Sequence, residues 1–274
     1  MEMIERYSAD AVRYWAASTG TGKDAIISEE KIQLGARLVN KLWNVARFSE
    51  RFLLDGRPAG EIPPLSGADA WILSRTQTVV ERVTVYLHGS DYAAAKSEIE
   101  GYFWTELADN YLEMAKLRLY DESHPGRAGA LYALYHALLA TLKLLALFLP
   151  HVTERIYLQL YAEREAQPSI HVSPWPVPDP RLRDPAWEQA GEALVAIATA
   201  ARRFKSEQGL PLSTELAHLQ VAATEPALCE KLRASTADLA SITRAGEISF
   251  GNAELDTEPG VIQLQDGLQA RISL

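Results

Sequence analysis

Six prolines (Pro168, Pro174, Pro176, Pro178, Pro180 and Pro185) crowd one short stretch of the chain. A proline ring fixes φ and removes a backbone donor, so neither a helix nor a central strand can run through them. The stretch is read as an extended strap, with Trp175 and Val177 packing on the body of the protein. It separates a helical part of the 274-residue chain from a last part in which one more helix gives way to a shorter, strand-like period.

Before the strap the period is helical. Ser8 caps a short helix, ADAVRYWAAS, which stops before the turn Gly20-Thr21-Gly22. Ser28 caps a second, with Glu29 and Glu30 set against the positive end of its dipole. That helix runs to about Leu54 and is stopped by Asp55-Gly56-Arg57-Pro58. Ser66 to His88 forms a third helix and Asp91 to Tyr120 a fourth. Pro125 opens a fifth, which Pro150 ends before starting a sixth, with Val152, Ile156 and Leu160 as its stripe. After the strap, Ala186 to Gln208 is helical, with Leu194, Ile197 and Ala201 on one side. The period then shortens. Leu216–Val221, Ile248–Phe250 and Val261–Ile272 favour strands, around a short helix Pro226–Arg233, and Asp266-Gly267 fits a type I′ hairpin turn. The predicted fold is mainly α: an up-and-down helical bundle with a small C-terminal α+β appendage. The expected divisions are 1–28, a connecting segment; 29–166, the bundle; 167–185, the strap; and 186–274, the last helix with the appendage.

Composition removes several classes of function. Hydrophobic residues make up 47% and charged residues 23%, which excludes disorder as the main state. A single cysteine, Cys229, excludes a disulfide framework and a multi-cysteine zinc site, and is read as a buried thiol. The N-terminus MEMIERYSAD has no unbroken apolar run, so the expected location is the cytoplasm. The apolar stretch Leu131–Leu149 contains His136 and Lys143. A charged Lys inside a span costs about 2.5–3.5 kcal/mol, so the stretch is read as a bundle helix and no membrane partner is expected. A net charge of −9 argues against indiscriminate nucleic-acid binding, DNA included, but leaves room for a local basic face.

Catalytic patterns are missing. Gly20-Thr21-Gly22-Lys23 lacks the other P-loop positions, since residue 17 is Ala17 and residue 24 is Asp24. No two of the six histidines have ligand spacing with a carboxylate between them, and no G-x-S-x-G elbow occurs. The expectation is no catalytic residue, no metal site and no cofactor in this chain.

One helical face is unusual. Within NKLWNVARFSERF, Leu38, Leu42, Val45 and Phe52 form a core stripe, while Arg37, Lys41, Asn44, Phe48 and Arg51 line the opposite side. Cations neutralise phosphates, an amide reads a base edge, and a ring stacks an unpaired base. The bland reading is a solvated face on which Phe48 meets a neighbouring helix. A second candidate, WTELADNYLEMAKLRLY, carries Leu107, Tyr111 and Met114 at helical spacing and ends in Lys116 and Arg118. Those cations equally complement a helix C-terminus. A third is the basic run Arg202-Arg203-Phe204-Lys205.

These residues form a recognisable set. SADAVRYWAAS, GKDAIISEEKI, ARLVNKLWNVARF, YFWTELADNYLEMAKLRLY and SIHVSPWP together resemble class I aminoacyl-tRNA synthetases of the branch that charges aliphatic amino acids. The NKLWN-ARF form, RRFKSEQGLPL and SITRAGEISFG resemble the valyl-tRNA synthetase subfamily more than its isoleucyl or leucyl relatives. The resemblance covers nearly the whole chain. It implies the C-terminal third of a longer ligase: MEMIERYSADAVRYW resembles the segment after the KMSKS-like loop, and the HIGH-like and KMSKS-like sequences and the editing insertion do not occur here. ATP, magnesium and valine activation would then belong to the parent enzyme, and this piece would be non-catalytic.

The implied partners are the anticodon loop of tRNA(Val) and the parent's catalytic domain. The implied tRNA-binding residues are Lys41, Asn44, Arg47 and Phe48 on one helix, with Lys116 and Arg118 on another. Asp10 and Arg13 match a stem-contact region, or form a structural ion pair. Many relatives end in a coiled-coil arm, where this chain has its Asp266-Gly267 hairpin. An isoleucyl-type anticodon module and a helical module that docks protein rather than RNA are the alternatives.

Overall fold

Capping side chains decide where the chain turns. The computed structural model describes residues 2–20, 22–24, 26–54, 60–251, 260–265 and 267–274. Helix α1 is Glu2–Tyr7 and α2 is Ala9–Ala17, where the Ser8 hydroxyl accepts the Ala11 N–H. Helix α3 is Glu29–Leu53, capped by Ser28 through the Lys31 N–H. Helix α4 (Gly67–His88) is followed by α5 (Tyr92–Gly101), whose Asp91 cap accepts the Ala94 N–H. The predicted stops at Thr21 and at residues 55–59 lie outside the described residues.

The stretch read as one helix from Asp91 to Tyr120 changes winding midway. Tyr102–Tyr111 is a π-helix, after which α6 (Leu112–Tyr120) resumes the α winding. Such segments are rare and shift the face that the following turns present. Helix α7 (Arg127–Leu145) begins two residues after Pro125 and ends well before Pro150, which instead takes the first turn of α8 (Pro150–Leu160). Lys143 is half-buried in α7, and burial lowers its pKa. Helices α9 (Ala162–Glu165) and α10 (Pro185–Glu207) flank the strap, which contains only two 3₁₀ turns, Ile170–Val172 and Pro180–Leu182. Strand β1 (Leu216–Ala223) follows, then α11 (Pro226–Ala234), α12 (Thr236–Thr243), β2 (Ala245–Gly251), β3 (Val261–Gln265) and β4 (Leu268–Ser273).

The chain divides into two compact units, each built from separate stretches. The first comprises Met1–Gly60, Thr76–Thr105 and Leu134–Arg181; the second comprises Glu61–Arg75, Glu106–Ala133 and Leu182–Leu274.

In the first unit α3 turns Leu38, Leu42, Val45 and Phe52 inward, as the periodicity predicts. Helix α2 lies close against it at Gly35, where an added Cβ would come within 2.8 Å of Tyr14. The Tyr14 hydroxyl donates to Glu100, which also accepts from the Lys96 ammonium at 2.9 Å. In the strap the Trp175 indole donates to the Thr84 hydroxyl at 2.9 Å. Val177, expected to pack beside it, is instead 82% exposed. A proline-rich extended segment winds with about three residues per turn, so side chains two apart do not share a face.

The second unit contains a four-stranded sheet in the order β2-β1-β4-β3, with β2 parallel to β1 and the other pairs antiparallel. Leu219, Val221, Leu268, Ala270 and Ile272 are buried. The hairpin β3–β4 forms as predicted and Gly267 has φ +71, while Asp266 lies outside the described residues. Cys229 is buried, as expected. Helix α10 packs its own Gly191 directly onto Trp71 of α4: an added Cβ would fall 2.0–2.2 Å from three indole atoms. Trp71 is only 2% exposed and has nowhere to move. Gly191→Ala is therefore expected to cost about 1–3 kcal/mol in urea unfolding, the usual penalty of overpacking. A loss within experimental error would mean that α10 does not approach Trp71 this closely.

Candidate nucleic-acid interface

With the core stripe inward, α3 must turn the other side of its wheel to solvent. Arg37, Asn44, Arg47 and Arg51 are exposed there, and Phe48 is half-buried at their edge. The Phe48 ring meets Phe52 edge-on at 5.2 Å, which fixes its position and leaves part of its surface open. Lys41 is half-buried on the same flank, with its ammonium 5.6 Å from the centre of the Trp104 ring. Among the described residues Arg37, Asn44, Arg47 and Arg51 have no hydrogen-bond or ion-pair partner. An exposed guanidinium without an internal carboxylate keeps its full attraction for an outside anion.

On the other flank of α3 lies a shallow surface depression. Trp43, Ala46, Arg47 and Glu50 of α3 line it, opposite Ile156, Gln159 and Leu160 of α8. The Gln159 amide donates to Glu50 at 2.5 Å.

Other cations are already engaged. Lys116 lies in the second unit, half-exposed, and its ammonium contacts both carboxylate oxygens of Glu113 at 2.6 and 2.7 Å. Arg118, read from the sequence as a tRNA contact, is 1% exposed. Its guanidinium is held by Asp69 at 2.6 and 3.0 Å and by Asp238 at 2.8 Å, so it is an internal cation and not part of an exposed face. The α-to-π change upstream alters which residues of α6 face inward, and helical spacing alone does not reveal that change.

Asp10 and Arg13 also have internal contacts. Asp10 is 4% exposed and accepts the N–H groups of His151 and Val152 at 3.2 and 2.8 Å, an anionic cap on the N-terminus of α8. Arg13 is exposed and donates to the Leu147 carbonyl at 3.0 Å. The basic run of α10 is likewise occupied: Arg202 donates to the Asp109 carbonyl, Arg203 pairs with Glu207, and buried Lys205 donates to the carbonyls of Leu212 and Thr243.

Two aromatic side chains were missed as parts of this site. Trp104 bears on Lys41, and Trp43 stands one turn before Arg47, an i,i+4 spacing that was readable in the sequence. Among the described residues no group of three or more His, Cys, Asp or Glu side chains could hold a metal ion.

The family model for the anticodon-binding domain of tRNA ligase matches residues 69–222. The chain belongs to that family. It is 39% identical to the valine--tRNA ligase of Methanopyrus kandleri over 94% of this chain and 29% of that protein. It is 33% identical to that of Thermococcus kodakarensis (96% of this chain, 30% of the relative) and 36% identical to that of Rickettsia conorii (91% and 31%). The chain thus spans about three-tenths of the length of these relatives. Among solved structures it is similar to a LeuRS–tRNA–LeuAMS ternary complex from Agrobacterium radiobacter K84. The TM-score is 0.52 at 18% identity, covering 67% of this chain and 21% of that one, a likeness of fold. The stretch matched by the anticodon-binding family leaves out α3, so the role of that helix rests on its own exposed face.

Proposed function

We propose that this chain is the anticodon-reading part of a valine--tRNA ligase, and that α3 grips the anticodon loop of tRNA(Val). The observation that carries the proposal is the division among the cations. Arg37, Arg47 and Arg51 stand exposed without partners among the described residues, on one side of a single helix, with a half-open ring beside them. Arg118, Lys205 and Lys116 are engaged with acids or carbonyls.

In this reading an unpaired base stacks on Phe48, Asn44 offers its amide to a base edge, and Arg47 with Lys41 neutralises phosphates. Lys116 contributes only if the RNA displaces Glu113. Activation of valine, with its ATP and magnesium, belongs to other parts of a longer cytoplasmic protein, whose catalytic domain is the second partner. Ile26 and Ile27, 84% and 68% exposed, give that partner apolar surface which RNA would leave uncovered.

Phe48→Ala is expected to weaken binding by about 1–3 kcal/mol, the worth of one stacked base. Arg47→Ala is expected to weaken it across sequences and to lower the salt dependence by about one phosphate contact. The measurement is a titration at fixed moderate salt with a tRNA(Val) transcript, one with a changed central anticodon base, and an isoleucine transcript. Preference for the first supports the proposal. Equal affinity for all three, or wild-type affinity in both variants, overturns it in favour of a protein-docking face.

A further inference from the structure

We propose that the depression beside Trp43 is a second base platform, so that the RNA strand straddles α3 with one base on Phe48 and another against Trp43. The inference rests on the reading of α3 just given and extends it to the opposite flank. Trp43 and Phe48 are five residues apart, which places them roughly 140° apart around the helix axis and about 7.5 Å apart along it. Between them runs the exposed polar ridge that includes Asn44, Arg47 and Arg51. The ridge therefore has an aromatic side chain on each shoulder, both half-exposed.

The chemistry of the depression fits a nucleobase. The Trp43 indole supplies a large π surface, backed by the apolar side chains of Ile156 and Leu160. Among the described residues its indole N–H has no hydrogen-bond partner. Arg47 lines the same depression as a wall, so one guanidinium faces both the ridge and the platform. Gln159 and Glu50, joined by a hydrogen bond, offer an amide and a carboxylate at the rim, groups that read the edge of a base. An aliphatic ligand would leave the polar groups at this rim unanswered, and an anion alone would be opposed by Glu50. The depression is open to solvent, as entry of a base from a flexible loop requires.

The test uses the full chain and a hairpin RNA bearing the valine anticodon loop, with binding followed by fluorescence anisotropy. Trp43→Ala is expected to weaken binding about tenfold, and Trp43→Phe to retain most of the affinity by preserving a stacking surface. Thermal melting of both variants checks folding. Should Trp43→Ala prove unfolded, the emission of wild type minus that of Trp43→Phe reports on the same contact: RNA is expected to quench this difference. Trp43→Ala within twofold of wild type, or no quenching, removes the platform, and with Phe48→Ala still impaired the anticodon reading of α3 survives. Wild-type binding in both Trp43→Ala and Phe48→Ala removes platform and reading together.

Discussion

Arg118→Met is expected to destabilise the second unit by about 3–5 kcal/mol, the usual cost of removing one partner from a buried ion pair. Arg118, Asp69 and Asp238 are each 1% exposed or less. The guanidinium donates two hydrogen bonds to Asp69 and one from Nε to Asp238, and the Tyr111 hydroxyl donates to Asp69 at 2.8 Å. Without the cation two carboxylates share one dry site, where each opposes the ionisation of the other. They would take up protons instead, and the loss would shrink in acid. Combining Arg118→Met with Asp69→Asn and Asp238→Asn removes the uncompensated charge and should recover part of the stability. Chemical denaturation of the single and triple variants decides the point. A single-variant loss below about 1 kcal/mol would mean that the network is not dry.

Asp238→Asn is expected to change how stability depends on pH. Burial pushes the Asp238 carboxyl up to about 6, with Asp69 adding to the effect and Arg118 opposing it. In the unfolded chain the group loses its proton near 3.8, so between these values the folded state holds the proton more firmly. The stability that this group contributes is therefore complete below about pH 4 and is lost as the pH rises through 6. Relative to Asp238→Asn, the wild type should lose stability between pH 4 and 7, on the order of 1–3 kcal/mol. Parallel stability profiles for the two proteins would show that Asp238 titrates as if in water.

Much of the fold was legible from local chemistry. Ser8 and Ser28 announced their helices because a cap acts on N–H groups three residues away. The core side of α3 followed from its period. The parallel pairing of β1 with β2 was not legible, because it depends on residues 29 positions apart meeting in register. Helix α12 was missed because TADLASIT is short and rich in Ser and Thr, which compete with the helix as readily as they build it.

The candidate site divided in the same way. Asn44 and Phe48 sit on the outer side of one helix, where a wheel places them, and Arg47, which the family resemblance supplied, is exposed beside them. Arg118 follows a π segment, and its two carboxylates come from α4 and α12, so its true surroundings arise from tertiary structure alone. Asp10 looked like half of an ion pair, but its partners are backbone N–H groups about 140 residues away, which no side-chain pattern encodes.

The central strand of the sheet has a consequence for a chain made on the ribosome. Strand β1 is complete at Ala223, yet both of its neighbours, β2 and β4, are synthesised later. Arg118 likewise waits 120 residues for Asp238. The first unit has all its residues once Arg181 has emerged, whereas the second must keep a cation and an apolar strand uncommitted until its last segment arrives. A premature stop after Gly251 would leave β1 paired with β2 on one edge alone and take from α10 the cover of β3 and β4, exposing a strand edge that is prone to aggregate in a nascent protein.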